Sequence, residues 1–150
     1  MSSRPALLCF DGSAEAEEAI RGAGLLLAGG DAIVLAVAIP AKDELPLDPA
    51  SDLLGRASGI YRDWDEIAIE LARRQASSGC ELAVGAGFAA RPLTASGKPA
   101  ATILRIADEH DVALIVLGAR RHSTLGGLLG SVSARVVGQA DRPLLVIPTR

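Results

Sequence analysis

Four short apolar runs, in which hydrophobic and polar residues do not alternate, constrain this fold more than any other feature. Strands buried on both faces have this pattern, and they occur in parallel sheets covered by helices on both sides. The 150 residues match the length of one ordinary domain. We therefore expect one α/β domain over residues 1–150. The four runs are Ala6–Phe10, Ala32–Ile39, Val112–Leu117 and Leu144–Ile147.

Segments with helical spacing separate these runs. Ser13 is a candidate N-cap for the first helix, and Glu15 lies near the positive end of that helix's dipole. The second segment predicts a helix that stops at the Ser78-Gly79 pair. Each segment has one apolar face. These faces contain Ala16, Ala19, Ile20, Ala23 and Leu27 in the first segment, and Ile60, Trp64, Ile67 and Leu71 in the second.

The rest of the chain completes an alternation of strands and helices. Pro99 suits the first turn of a helix, and a last helix is expected to begin near Gly130-Ser131. A third strand is expected within Leu82–Ala95, and Pro92 places it at an edge, since proline cannot donate to a ladder. The segment Lys42–Asp52 is interpreted as a solvated loop or an active-site lid. The order β-α-β-α-β-α-β-α-β predicts an open, doubly wound α/β domain.

Composition and charge exclude several classes of protein. The net charge of −3 argues against a nucleic-acid partner, because phosphate neutralisation needs a basic face. No apolar run is long enough to span a bilayer, so we expect no membrane association. Two cysteines make no disulfide framework, and a reducing cytoplasm is the expected location. Residues 112–150 contain five arginines and one acidic residue. The positive net charge of this segment suits the binding of a small anion.

Candidate ligand-binding residues follow the first and fourth runs. In doubly wound sheets, ligands bind outside the carboxyl ends of strands, where the chain order changes direction. Asp11-Gly12-Ser13 follows the first run. A glycine-rich segment, 118–131, follows the fourth run and leads to a helix N-terminus, where backbone N–H groups and the dipole favour an anion. The Ser131 hydroxyl is expected to bind a phosphate oxygen, cap the helix, or do both.

Five segments carry a family resemblance, and they occur in order at suitable separations. They are Leu7–Ser13, Gly97–Ala100, His110–Gly118, Leu129–Val136 and Arg142–Pro148. In these segments the sequence resembles the universal stress protein family over almost its whole length. The resemblance implies a five-stranded parallel sheet in the order 3-2-1-4-5. It also implies a homodimer formed through the fifth strand, Leu144–Ile147, and, in one branch of the family, ATP bound at the ends of the first and fourth strands.

The ATP-binding branch has the pattern Gly-x2-Gly-x9-Gly-Ser/Thr, which this sequence matches in part. Gly118, Gly130 and Ser131 match, whereas Arg121 occupies the second glycine position and only eight residues separate it from Gly130. A side chain there either fills the phosphate pocket or displaces the loop, yet two adjacent guanidinium groups are good phosphate ligands. The predicted nucleotide-site residues are Asp11, Gly12, Ser13, Leu117, Gly118, Arg120, Arg121, Gly130, Ser131 and Val132.

Several of these residues have a structural alternative. Asp11 either contacts the base or ribose, as the resemblance implies, or makes the tight strand-to-helix turn with Gly12. Arg120 and Arg121 either hold phosphates or are solvated loop residues. No cluster of residues has the spacing of a metal site, so Mg²⁺ is expected only together with a nucleotide's phosphates.

Three functional hypotheses remain. The first is a cytoplasmic, dimeric stress-response protein whose bound ATP, with or without Mg²⁺, acts as a signal. The second is a nucleotide-free interaction module whose pocket Arg121 closes. A small-molecule enzyme on the same scaffold is a third. The sequence contains neither a Gly-x-Ser-x-Gly elbow nor a Walker A motif, so we expect no enzyme beyond slow, incidental ATP hydrolysis.

Overall fold

The computed structural model describes residues 3–44, 48–120 and 130–149. Strands and helices alternate along these ranges much as the sequence predicts. The strands are β1 (Ala6–Cys9), β2 (Gly30–Ala38), β3 (Phe88–Ser96), β4 (Leu114–Arg120) and β5 (Leu144–Thr149). The helices are α1 (Ala14–Leu27), α2 (Ala41–Glu44), α3 (Pro49–Ala57), α4 (Ile60–Gly85), α5 (Pro99–Glu109) and α6 (Ser131–Gln139).

The strands form a parallel sheet in the order β3-β2-β1-β4-β5. This order confirms the predicted fold class, an α/β doubly wound sheet. β3 lies at one edge, where Pro92 pairs with Val34 of β2. An edge position is the one in which a strand tolerates proline, because one side of the strand has no neighbouring strand.

Two helical layers cover the sheet, and alternate residues of each central strand point to opposite layers. The fully buried Leu8 packs with residues of α1 and α4 on one face. Its neighbour Leu7, also fully buried, packs with residues of α5 and α6 on the other face. Burial on both faces explains why the strand sequences are continuous apolar runs. Within the described ranges, no helix has the length and apolar character needed to cross a membrane.

Helix α4 continues past its predicted end at Ser78-Gly79 and reaches Gly85. Gly79 is buried inside the helix. A Cβ atom on this residue would lie 2.7 Å from Cδ1 of Phe10 and 2.8 Å from Cγ1 of Val34. The glycine therefore allows α4 to approach the sheet closely, and it does not end the helix.

The predicted apolar stripe of α4 does not face the core. Ile67 is 68% exposed, and the other three residues of the stripe are exposed as well. The buried face consists mainly of small residues, because only small side chains permit the close helix-to-sheet packing seen at Gly79. The buried residues of α4 are Tyr61, Ala72, Ala76, Gly79 and Ala83.

The segment Lys42–Asp52, predicted to be a loop, is largely helical where the structure describes it. Helix α2 occupies its beginning, and α3 starts at Pro49. The Asp48 carboxylate accepts hydrogen bonds from the backbone amides of Ala50 and Ser51, both at 3.1 Å. Asp48 and Pro49 thus form an N-cap followed by a first-turn proline, a helix start that resembles a proline-rich loop in sequence.

Candidate functional site

The carboxyl ends of β1 and β4 lie side by side in the middle of the sheet. The chain leaves β1 for β2 on one side, and β4 pairs with β1 on the other. A cleft of about 540 Å³ opens at this position, where the strand order reverses and doubly wound folds bind ligands. Its lining combines the ends of β1, β2 and β4 with the N-termini of α1, α5 and α6.

The structure places most of the predicted site residues in this cleft. Gly12 lies in the β1–α1 turn and Ser131 is the first residue of α6, but neither lines the cleft. Arg121, on which the alternative of a closed pocket depends, lies outside the described residues. The predicted residues that do line the cleft are Asp11, Ser13, Leu117, Gly118, Arg120, Gly130 and Val132.

The β1–α1 turn is held by local hydrogen bonds. The Asp11 carboxylate accepts from the Ser13 amide at 3.0 Å, and the Ser13 hydroxyl oxygen accepts from the Ala16 amide at 3.2 Å. Gly12 has a φ of 82°, a conformation that favours glycine. Gln75 of α4 donates to the Asp11 carbonyl oxygen at 2.9 Å. Asp11 therefore makes the turn, and its exposed side chain also borders the cleft.

Gly118 lies in a strand and not in the loop that the sequence predicted. β4 continues to Arg120, and Gly118 pairs with Ile147 of β5. A Cβ atom on Gly118 would lie 2.5 Å from the carbonyl oxygen of Glu15 and 3.2 Å from the Ala16 amide nitrogen. The glycine is therefore required for the close contact between β4 and the start of α1, whether or not a ligand is bound.

The N-terminus of α6 borders the cleft and has no side-chain cap among the described residues. Its N-cap is Gly130 and Ser131 is the first residue of the helix, so capping, one of the two roles expected for Ser131, is not seen. A Cβ atom on Gly130 would meet no described atom within 4 Å. The Ser133 hydroxyl donates to the Gly118 carbonyl at 3.4 Å and joins the helix to β4. First-turn amides without a cap, next to open space, are suited to an anion.

Arg120 forms an ion pair that the sequence did not predict. Its Nε donates to Oε1 of Glu15, in the first turn of α1, at 2.5 Å. The hydrogen bond from Arg120 lowers the pKa of the Glu15 carboxyl and raises the pKa of the guanidinium. The sequence had suggested only an interaction of Glu15 with the helix dipole. No local pattern relates two residues 105 positions apart.

Apolar side chains from several elements form the remaining walls, and the sequence analysis had not assigned them to a site. Most of them lie in or just beyond the strands, and Ile103 lies on the inner face of α5. Cys9 is among the lining residues, and burial, assisted by the nearby Asp11 charge, raises the pKa of its thiol to about 12. The thiol therefore stays protonated. The unassigned apolar lining residues include Phe10, Leu35, Val37, Ile39 and Ile103.

The cleft combines apolar walls with three charged side chains among the described residues. They are Asp11, Glu15 and Arg120. The described ranges contain no group of three or more His, Cys, Asp or Glu residues that could hold a metal ion.

Several solved structures have a similar fold over nearly the whole length of this chain. The hypothetical protein MJ0577 has a TM-score of 0.74 and 21% identity, covering 100% of this chain and 99% of that chain. A universal stress protein from Archaeoglobus fulgidus, in complex with dAMP, has a TM-score of 0.63 and 18% identity, with coverage of 98% and 99%. A universal stress protein in complex with cAMP has a TM-score of 0.62 and 21% identity, with full coverage of both chains.

The fold of these structures is thus shared, although identities this low establish nothing more. The sequence itself supplies the stronger result. The model of the universal stress protein family matches residues 3–148, a range that contains β1 to β4, all of β5 except its last residue, and the lining of the cleft. The chain therefore belongs to the universal stress protein family.

Proposed function

We propose that this protein binds an adenine nucleotide in the cleft, with phosphate at the N-terminus of α6. The observation that carries this proposal is the α6 N-terminus at Gly130, which borders the cleft. Among the described residues it has no side-chain cap, and a Cβ atom at Gly130 would have no neighbouring atom within 4 Å. Backbone amides and the helix dipole together favour a phosphate at such a position. Ser133, which also lines the cleft, would reach a phosphate only by giving up its hydrogen bond to the Gly118 carbonyl.

The other end of the cleft suits a nucleoside. Val37, Ile39 and Ile103 offer apolar contacts for a base. Asp11 borders the cleft with an exposed carboxylate, which can accept a hydrogen bond from a ribose hydroxyl or a base amino group. A cleft of about 540 Å³ also lies within the usual range for small-molecule sites.

ATP is the proposed physiological ligand, and Mg²⁺ would arrive with its phosphates. Arg120 is the described basic side chain in the lining that would contact a phosphate. Relatives in complex with dAMP and cAMP support adenine nucleotides as the ligand class. We assign no catalytic residue and expect at most slow, incidental ATP hydrolysis, so that nucleotide occupancy acts as a signal in a cytoplasmic stress response.

Calorimetric titration with ATP and Mg²⁺, and separately with AMP, tests this proposal. We expect saturable heat with the wild-type protein. Gly130→Leu should weaken binding at least about tenfold, or ~1.4 kcal/mol, because the added side chain fills the space beside the α6 amides. Gly138→Leu is the control, since a Cβ atom at Gly138 likewise meets no described atom within 4 Å but Gly138 lies near the opposite end of α6. No heat with either nucleotide at millimolar concentration would overturn the proposal.

The homodimer through β5 is part of the same proposal. β5 is an outer strand of the sheet, and its sequence Leu144–Ile147 is apolar and only partly buried. Exposed edges of this kind tend to pair with a second strand. Sedimentation velocity at micromolar concentration should give twice the mass of one chain. Val146→Lys should reduce the measured mass to that of one chain. Val137→Lys, at an exposed position of α6, should leave the mass unchanged. A monomeric wild-type protein would contradict the dimer.

A further inference from the structure

The ion pair between Glu15 and Arg120 lies in the lining of the cleft. It joins the first turn of α1 to the last residue of β4. The Glu15 side chain is 17% exposed and the Arg120 side chain 65% exposed. The Glu15 carboxylate is therefore largely covered by its surroundings, whereas most of the Arg120 guanidinium remains accessible to solvent.

This pair changes how the cleft interacts with an anion. Arg120 is the described basic group of the lining, and its Nε already donates to Glu15. A phosphate that contacts Arg120 meets a guanidinium whose positive charge the Glu15 carboxylate already balances. The attraction lost in this way increases with each phosphate that the ligand carries.

From this geometry we infer that Glu15 is a specificity-determining residue that acts by holding Arg120. It lowers the affinity of the cleft for ATP more than its affinity for ligands with one phosphate or none, so that ATP binds more weakly than the cleft would otherwise allow. The inference rests on the proposed nucleotide-binding function and adds to it a preference for ligand charge.

Nucleotide titrations of charge-neutral variants test the inference. Adenosine, AMP, ADP and ATP are titrated by calorimetry, with Mg²⁺, into the wild-type protein, Glu15→Gln, Arg120→Gln and the double variant. We expect Glu15→Gln to raise the affinity for ATP about tenfold more than the affinity for adenosine, because the positive charge of Arg120 is then available to the phosphates. In the Arg120→Gln background this gain should fall below about threefold, because the group that Glu15 restrains is absent.

Glu17→Gln is the matched control. Glu17 lies in the same first turn of α1 and pairs with Arg21, but it does not line the cleft. This variant has the same change in net charge and nearly the same change at the helix N-terminus, so the ratio of ATP to adenosine affinity should stay within about twofold of wild type. Thermal unfolding of every variant confirms that each is folded.

The possible failures are distinguishable. An unchanged affinity ratio in Glu15→Gln, or an equal gain with and without Arg120, overturns the inference while nucleotide binding stands. An equal change in Glu17→Gln also overturns it, since net charge alone would then explain the effect. If the wild-type protein binds neither adenosine nor any of the nucleotides, the proposed function fails and the inference fails with it.

Discussion

Gly118→Ala is expected to lower the free energy of unfolding by about 1–3 kcal/mol, the usual cost of overpacking a tightly packed site. The new Cβ would lie 2.5 Å from the carbonyl oxygen and 2.7 Å from the carbonyl carbon of Glu15. Both are backbone atoms of α1, so no rotamer change relieves the contact. β4 and α1 must instead move apart. Urea unfolding, followed by circular dichroism, measures the loss.

Gly138→Ala is the control for this experiment. Its Cβ would meet no described atom within 4 Å, and alanine is a better helix former than glycine. We expect the stability of this variant to equal or slightly exceed that of wild type. A Gly118→Ala variant as stable as wild type would show that the contact between β4 and α1 is less tight than the structure indicates.

Gly118 and Gly130 belong to one sequence motif but have different surroundings in the structure. The family pattern associates this glycine with a phosphate-binding loop, yet the structure places it within β4 against the start of α1. A Cβ atom at Gly130, at the other end of the pattern, would instead meet no atom of the described residues within 4 Å. Gly118 therefore serves packing, and of these two glycines only Gly130 has room beside it for the proposed phosphate.

The sheet was predictable because burial on both faces leaves a simple pattern. Leu7 and Leu8 are consecutive and both fully buried, which only a strand between two helical layers readily achieves. The start of α1 was predictable as well, since the Ser13 hydroxyl makes the expected capping hydrogen bond with Ala16. Such features depend on neighbouring residues alone.

The inward face of α4 was not predictable by the same reasoning. Hydrophobicity favours Trp64 and Ile67 as core residues, but both are exposed, and Ala76 and Gly79 are buried instead. The deciding quantity is the distance between the helix and the sheet. That distance depends on Phe10 and Val34, which the chain brings to Gly79 only after folding.

The candidate site was predictable in part. Asp11 and Gly130 border the cleft because strand ends and helix starts meet where the strand order reverses. Glu15 was missed as a member of the site, since its partner Arg120 belongs to a distant strand. A rule that examines the first turn of every helix following a central strand would have selected it.

Arg142→Met is expected to lower the free energy of unfolding by about 2–4 kcal/mol, since hydrogen bonds from a charged donor contribute roughly 1.5–3 kcal/mol each and are not fully additive. The Arg142 side chain is only 16% exposed. Its Nη1 donates to the carbonyl oxygens of Ala107 at 2.9 Å and Val112 at 3.0 Å, and its Nη2 donates to the Asp108 carboxylate. Methionine preserves much of the apolar stem but donates no hydrogen bond.

These contacts fix where β5 begins, because Arg142 lies two residues before Leu144 and holds the turn between α5 and β4. Loss of these hydrogen bonds in Arg142→Met should therefore also weaken the proposed dimer. Sedimentation of the variant and of wild type at the same concentrations measures this effect. Arg142→Lys keeps the charge but not the planar fork. Its free energy of unfolding in urea should lie between those of wild type and Arg142→Met. Arg135→Met, at an exposed position of α6, should stay within about 0.5 kcal/mol of wild type. If Arg142→Met stays within that range too, the guanidinium does not anchor the strand.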